Sequence, residues 1–537
     1  MERRKFLLSS LLGGAAVSVP FINSCKPGPV KEIKQVTSYE SELDEVTITE
    51  LQGWLESGRF TSENIVNLYL ERIQDIDKEG PGLNSIIEIN PDAVKIAQQL
   101  DAERKSGKLR GVLHGIPIVV KDNIDTADKM ATTAGSLALA KNIAQKDAFI
   151  ITKLREAGAI ILAKTNLSEW ANFRSNRSSS GWSARGGQTR NPYMINRNPC
   201  GSSSGTGVAV SANLCVAGIG TETDGSVVCP SSINGLVGIK PTVGLCSRSG
   251  IIPISQSQDT AGPMARTVTD AAILLGVLTG SDSNDPATLE SEGKVFSDYT
   301  KYLVNEGLRG VRIGVARNFF GFHERVDALM ENAITTLKGL GANIIDPANI
   351  EFVKESGESE FQVLLYEFKD GLNKYFAGMK PEVGIKTLED LIKFNTDQAN
   401  EELRYFGQEL LIEANRKGPL TDARYLQALA NTKRYSRESG IDSIMRRRSL
   451  DVIIAPTGGP AWVTDLINGD RYLGGSSTPA ACAGYPNITV PAGFIEGLPV
   501  GVSFIGKAWS EPQLLKCAFA FEQTAKHRKK PEFATGI

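Results

Sequence analysis

The chain has 537 residues, of which 41% are hydrophobic and 22% are charged, as expected for a globular protein with one very large domain or two. Its 59 Lys and Arg residues nearly balance its 61 Asp and Glu residues, so the composition indicates no nucleic-acid partner. The three histidines are far apart and the seven cysteines form no Cys-x-x-Cys pair, which argues against a metal site or a redox motif.

The N-terminus has the pattern of an export signal. Arg3 and Arg4 precede an apolar stretch, residues 7–22, that is short for a membrane span. The paired arginines resemble a twin-arginine signal, and residues 22–25 resemble a bacterial lipobox in which Cys25 carries a lipid. Plain secretion, with Cys25 incidental, is the alternative. We therefore predict an export signal at residues 1–25, a polar tether at 26–46, and a periplasmic or cell-envelope location, with or without membrane attachment through Cys25.

The first half of the chain alternates helical and strand patterns. Apolar residues at helical spacing predict a pair of helices over residues 47–76 and another helix over 93–106. Apolar runs rich in β-branched residues then predict strands at 116–120, 158–163 and 214–220. Each run follows a helix or a loop, and this alternation predicts an α/β fold.

The second half begins after a long polar loop. Residues 175–204 are rich in Ser, Gly and Asn, and a structureless segment this long is usually functional. Residues 270–450 carry more charge and helical periodicity, with one strand-like run at 311–316, and should cover the core. Short apolar runs predict that the sheet recruits further strands near the C-terminus, at residues 451–455, 488–490 and 500–505.

Three segments carry residues suited to acyl-transfer chemistry. Lys121 ends an apolar strand, where burial would favour the neutral amine and make it a base, although a lysine there can also simply reach solvent. Residues 199–207 are a Gly/Ser loop around Ser202 that can bring its backbone close to a ligand or can be merely flexible. Residues 220–226 form a turn after a strand, either an anion-binding turn or an ordinary polar one.

Together and in this order, the three segments resemble the amidase signature family. Further similar segments lie at residues 235–242, 259–266, 455–457 and 484–491, so the resemblance covers about residues 47–527. It implies a single large amidase-signature α/β/α domain around a mixed central sheet, which we assign to residues 47–537.

The resemblance also implies the roles of individual residues. Ser226 matches the nucleophile, Ser202 the serine after a cis peptide bond that relays protons, and Lys121 the base. The oxyanion hole matches the backbone of Thr223, Asp224, Gly225 and Ser226. A serine hydroxyl becomes a good nucleophile only when a base takes its proton, which is what Lys121 would do through Ser202. No cofactor and no metal are implied.

Two departures from the usual family pattern narrow the branch. Most members have a glycine where this chain has Asp224 and an arginine where it has Val228. These positions, with residues 169–174 and 181–187, resemble the bacterial peptide amidases, which argues against the transamidosome subunit of the family. The implied substrates are C-terminal amides of peptides or acylated amino acids. The alternatives are a general aliphatic or aryl amidase and a catalytically silent exported binding lipoprotein.

A competing motif is present within the Gly/Ser loop. Residues 201–205 satisfy Gly-x-Ser-x-Gly, which in α/β-hydrolases would make Ser203 the nucleophile, with His323 or His527 as base. That motif has to follow a strand, whereas residues 190–199 have the composition of a loop. We therefore favour the Ser226, Ser202 and Lys121 assignment.

Overall fold

One mixed sheet of eleven strands organises the described part of the chain. The computed structural model describes residues 39–536, and the described residues from Glu40 onward form one unit. The strands in chain order are β1 (Ile86–Ile89), β2 (Pro117–Lys121), β3 (Ile160–Thr165), β4 (Trp182–Ser183), β5 (Gly187–Gln188), β6 (Ala217–Glu222), β7 (Val237–Lys240), β8 (Thr260–Ala265), β9 (Arg312–Val315), β10 (Asn343–Ile345), β11 (Val452–Pro456), β12 (Asn487–Ile495) and β13 (Leu498–Ile505).

The order of strands across the sheet is β1-β3-β2-β6-β8-β7-β12-β13-β11-β9-β10, and β4 and β5 pair separately as a short hairpin. Strand β2 is parallel to both β3 and β6, while β6 is antiparallel to β8. All residues of β2, β3 and β6 are buried, which is why these strands have nearly continuous runs of apolar or small residues. Because β2 and β6 are parallel neighbours, their carboxyl ends meet at one edge of the sheet, and this edge positions the site.

Helices surround the sheet. Those described are α1 (Ile48–Glu56), α2 (Ser62–Arg72), α3 (Ala93–Lys105), α4 (Phe149–Glu156), α5 (Ser204–Ser211), α6 (Val228–Ile233), α7 (Val268–Leu278), α8 (Glu324–Gly339), α9 (Val353–Ala377), α10 (Leu388–Asp397), α11 (Ala399–Glu402), α12 (Glu409–Asn415), α13 (Ala423–Lys433), α14 (Asp442–Arg448), α15 (Thr478–Ala483) and α16 (Glu511–Ala525). The prediction of an α/β domain around a mixed central sheet is confirmed.

The start of the domain is well anchored. Thr47 and Thr61 cap α1 and α2, and each forms a reciprocal capping box with the residue three positions on. Leu43 and Val46, in the stretch predicted as tether, are buried in the domain.

The predicted export signal and Cys25 lie outside the described residues. Within residues 39–536, no helix combines the length and the apolar character that crossing a membrane requires.

The helical region between β10 and β11 covers the segment that leads into the Gly/Ser loop. Helices α9, α10 and α12 bury an apolar cluster against Trp170 and Phe173 of that segment and against Ile252 and Ile254. The cluster forms because these helices place Leu and Phe residues on one face at helical spacing. Helices α9, α10 and α12 therefore form one wall beside the edge where β2 and β6 end.

Candidate active site

Lys121 is completely buried at the end of β2 and contacts the Gly/Ser loop. Its Nζ lies 2.6 Å from Ser202 Oγ, 2.8 Å from Thr221 Oγ1 and 3.2 Å from the Thr221 carbonyl oxygen. A neutral amine has two N–H donors and one lone pair. The two contacts to Thr221 can take both N–H groups, which leaves the lone pair to accept the Ser202 hydroxyl. The structure thus brings together two of the three predicted catalytic residues in the geometry of a base and its proton donor.

Burial sets the protonation state of this lysine. The loss of hydration lowers the pKa of Lys121 from its usual 10.5 to about 7, against the opposing effect of the carboxylates of Asp259 and Glu222. At neutral pH a large fraction of the amine is therefore unprotonated. The predicted alternative, a lysine that extends to solvent, does not occur, since Lys121 has no exposed surface.

The Gly/Ser loop brings Ser202 to Lys121 and its neighbour Ser203 to the turn after β6. The peptide bond between Gly201 and Ser202 is cis, as the family resemblance implied. The Ser203 N–H donates to the Ser226 carbonyl oxygen at 3.2 Å, which joins the loop to that turn. A Cβ on Gly201 would lie 2.1 Å from Ser168 Oγ, so a side chain there would displace this hydroxyl from its contact with the Gly181 N–H.

A disulfide also joins these two segments. Cys200, just before the cis peptide bond, pairs with Cys229 in α6, the helix that follows Ser226. Cysteine spacing alone could not predict this pair. The other described cysteines, Cys215, Cys246, Cys482 and Cys517, are free and buried.

The turn after β6 is held by side-chain contacts on three consecutive residues. Glu222 Oε2 accepts the N–H groups of Val227 and Val228 at 2.7 and 3.0 Å. The Thr223 hydroxyl donates to Asp259 Oδ1 at 2.5 Å, and Asp224 Oδ2 accepts the Thr478 hydroxyl at 2.6 Å.

These contacts leave the backbone of the turn available. Gly225 has φ +77°, a conformation that suits glycine. The backbone N–H groups of Thr223, Asp224, Gly225 and Ser226 find no acceptor among residues 39–536. An oxyanion hole requires N–H groups without an internal acceptor in a fixed turn, and this turn meets that requirement.

A small cavity, here called the Ser202 cavity, opens beside these groups. Its polar part is lined by Asn123, Ser202, Thr221, Glu222, Thr223, Arg248, Asp259 and Thr260, and its apolar part by Ala171, Ile251, Ile252 and Ile254. Sequence reasoning missed Asn123, Thr221 and Asp259 as site residues. Asn123 follows Lys121 closely in the chain, but nothing in the sequence shows that its side chain turns back to Thr221.

The segment 169–174 forms an unusual turn at the wall of this cavity. Trp170, Ala171 and Asn172 have φ of 50°, 54° and 69°, the left-handed region that costs non-glycine residues about 1–2 kcal/mol each. The fully buried Glu169 and Arg174 flank the turn and form an ion pair, and Arg174 also donates to the Glu402 carbonyl oxygen. The fold therefore holds a strained conformation in place next to the site, which is where such strain usually serves function.

The contacts of Ser203, His323 and His527 contradict the competing α/β-hydrolase assignment. The Ser203 hydroxyl donates to the Thr221 carbonyl oxygen and accepts the Thr221 N–H, at 3.1 and 3.2 Å. His323 caps α8, and the His527 ring packs near Phe521. Neither is positioned to activate Ser203. Among residues 39–536, no three His, Cys, Asp or Glu side chains are grouped as a metal ion would need.

Known proteins are similar to this chain over most of its length. The family model described as Amidase matches residues 64–515. A probable amidase of Arabidopsis thaliana is 39% identical over 515 residues, covering 94% of this chain and 94% of its own. A candidate amidase of Schizosaccharomyces pombe is 38% identical over 544 aligned residues, covering 96% and 90%. The native peptide amidase of Stenotrophomonas maltophilia superposes with a TM-score of 0.87 at 49% identity, covering 92% of this chain and 99% of that one.

These relatives correct one prediction. The expected export to a bacterial periplasm or cell envelope is wrong, because the curated relatives at 38–39% identity are fungal and plant amidases. The features behind that prediction, the signal-like residues 1–25 and the lipobox at Cys25, lie outside the part of the chain that the structure describes.

Proposed function

This chain belongs to the Amidase family and is an amide hydrolase, and from that premise we propose that it releases ammonia from the C-terminal carboxamide of peptides or acylated amino acids. Ser226 is the nucleophile, Ser202 the proton relay and Lys121 the base. The observation that carries the proposal is the contact between the buried Lys121 amine and the Ser202 hydroxyl, beside a turn whose N–H groups are free.

The mechanism follows from these positions. Neutral Lys121 takes the proton of Ser202, which in turn takes the proton of Ser226 as its oxygen attacks the amide carbonyl. The N–H groups of Thr223 to Ser226 stabilise the negative oxygen of the tetrahedral intermediate. The proton then returns through Ser202 to the leaving nitrogen, and a water molecule repeats the sequence on the acyl-enzyme.

The substrate class rests on similarity and on the shape of the site. The solved structure with 49% identity is a peptide amidase, and the segments 169–174 and 181–187 carry the resemblance to that branch. The Ser202 cavity has a free volume of only about 20 Å³, which is room for a small leaving group. The acyl part of the substrate would then lie outside this cavity.

A three-substrate comparison tests the substrate class. We would measure kcat/KM for a blocked dipeptide amide, for the same peptide with the amide replaced by one further residue, and for a simple aryl amide. The dipeptide amide should be the best substrate, because binding energy from the acyl part orients the carbonyl. A clear advantage for the aryl amide would indicate a general amidase and end the peptide-amide proposal.

A pair of serine variants tests the catalytic assignment. Ser226→Ala should lose at least about a thousandfold in kcat and all labelling by a fluorophosphonate. Ser203→Ala is the matched control, since its hydroxyl only bridges the backbone of Thr221, and it should still be labelled. Labelling that survives in Ser226→Ala and disappears in Ser203→Ala would reverse the assignment. A protein that turns over no amide would be a silent binding protein.

A further inference from the structure

Two residues that line the Ser202 cavity each have a buried hydrogen-bond acceptor with no donor among residues 39–536. Asn123 Nδ2 donates to Thr221 Oγ1 at 3.0 Å, but Asn123 Oδ1 has no partner among residues 39–536. Glu222 Oε2 accepts two backbone N–H groups, whereas Glu222 Oε1 has no partner in the same residues. Both side chains line the cavity, and their exposed fractions are 4% and 1%. Buried acceptors are normally satisfied, so this pair points to a ligand that brings N–H or O–H donors.

The size of the cavity limits that ligand. Its free volume is about 20 Å³, which is room for a molecule the size of water or ammonia. Ser202, whose hydroxyl contacts Lys121, lines the same cavity. A ligand here would therefore lie beside the two residues that carry the orphan acceptors and beside Ser202, the residue that would move the proton.

We propose that the Ser202 cavity is the leaving-group site, in which Asn123 Oδ1 and Glu222 Oε1 accept the N–H groups of the departing ammonia. This inference rests on the proposed function, because it assigns the nitrogen side of the same reaction. The leaving nitrogen has to reach Ser202 to receive its proton, and Ser202 lines this cavity. Ammonia has three N–H donors and no carbon substituent, so it matches both the acceptors and the volume.

The proton and electron balance of the step is simple. When the C–N bond of the tetrahedral intermediate breaks, the electron pair of that bond goes to nitrogen. The nitrogen takes the proton that Ser226 had given up, delivered by Ser202 from Lys121, and the acyl group stays on Ser226 Oγ. In the reverse direction ammonia attacks the acyl-enzyme, gives one proton to Ser202, and Ser226 recovers its hydroxyl.

The assignment makes the site selective for primary amides. A methyl group on the nitrogen would remove one donor and would need more room than a cavity of about 20 Å³ provides. Asn123 and Glu222 are then specificity-determining residues.

The reverse reaction gives a direct measurement. A blocked dipeptide methyl ester would be used to form the acyl-enzyme, and the ratio of amide to acid product would be followed at fixed alkaline pH while free ammonia or methylamine is varied. With a specific site, the amide yield saturates with ammonia, and methylamine is at least about tenfold less effective at equal concentration.

Two variants test the two acceptors. In Glu222→Gln, the amide oxygen can keep the contacts to Val227 and Val228 and place an NH₂ donor where Oε1 was, which should raise the half-saturating ammonia concentration about tenfold. In Asn123→Ala, the acceptor is lost and space is gained, so the preference for ammonia over methylamine should fall about tenfold. A general loss of structure would not produce that change in preference.

Glu511→Gln is the matched control. Glu511 is also buried and also accepts a backbone N–H, that of Thr242 at 2.6 Å, but it does not line the cavity. Its half-saturating ammonia concentration should equal that of the unchanged protein.

The outcomes separate the two proposals. A linear, equal response to ammonia and methylamine in the unchanged protein overturns the leaving-group site, as does an unchanged preference in folded Asn123→Ala. If amides are still hydrolysed in either case, only this inference fails. If the protein neither hydrolyses amides nor is labelled at Ser226, both proposals fail. Should Glu222→Gln not fold, the Asn123→Ala preference decides.

Discussion

Replacing Glu222 with glutamine should move the pH dependence of amide turnover to lower pH. Burial lowers the pKa of Lys121 to about 7, and since one pKa unit corresponds to about 1.4 kcal/mol, the fold disfavours the protonated amine by about 5 kcal/mol. The negative charges of Asp259 and Glu222 act in the opposite direction and raise that pKa. Glutamine removes one of the two charges and can keep the contacts to Val227 and Val228.

The size of the shift follows from these effects. A neighbouring charge in a buried site changes a pKa by about 1–3 units. Because burial raises the pKa of Glu222, this carboxyl carries less negative charge at a given pH. We therefore expect its replacement to lower the pKa of Lys121 by about one unit, the lower end of that range. The base acts only when unprotonated, so activity rises with pH through the pKa of Lys121. Two units below that pKa, the unchanged protein should retain about one hundredth of its plateau rate. At pH 6 the variant should have about fivefold more of its own plateau rate than the unchanged protein.

Two assays measure this rise of activity with pH independently. The rate at which a fluorophosphonate labels Ser226 depends on the base without amide turnover, and kcat/KM for a peptide amide should give the same apparent pKa. Circular dichroism at each pH would check that both proteins remain folded. A rate that does not change between pH 5 and 9, or an apparent pKa that is higher in Glu222→Gln than in the unchanged protein, would refute Lys121 as the base.

Three further outcomes are expected. Lys121→Arg should be inactive at every pH, because the guanidinium stays protonated, and labelling of Ser226 measures this directly. Replacing both Cys200 and Cys229 with serine should lower the free energy of unfolding by about 3–4 kcal/mol, from the 29-residue separation that the disulfide closes, as a denaturant titration would show; an unchanged midpoint would contradict it. Gly201→Ala should abolish turnover because its Cβ would lie 2.1 Å from Ser168 Oγ, whereas Gly53→Ala, in α1 with open space around it, should raise the melting temperature slightly and keep full activity.

Some parts of the fold were predictable because local composition and burial agree. The apolar runs at 116–120, 158–163 and 214–220 correspond to β2, β3 and β6, whose residues are all buried. Strand β8 (Thr260–Ala265) was not predicted, because Gly and Pro residues weaken any strand pattern. Its glycine is required by packing: a Cβ on Gly262 would lie 2.0 Å from the Ile239 carbonyl oxygen. No local pattern reveals that contact.

Local patterns in the sequence are enough to predict the α/β class, since strands and glycine-rich turns are encoded by neighbouring residues. The roles of Lys121, Ser202 and the turn that ends at Ser226 came from the resemblance to the amidase signature family, because each segment taken alone also allowed an ordinary structural role.

Properties that depend on distances through space follow from the tertiary structure alone. The pKa of Lys121 near 7, the pairing of Cys200 with Cys229, and the two free acceptors of Asn123 and Glu222 all arise where distant segments are buried together. Hydration, covalent pairing and hydrogen-bond satisfaction act between atoms a few ångströms apart. Residues far apart in sequence reach such distances only once the sheet has formed and the loops at its edge have packed together.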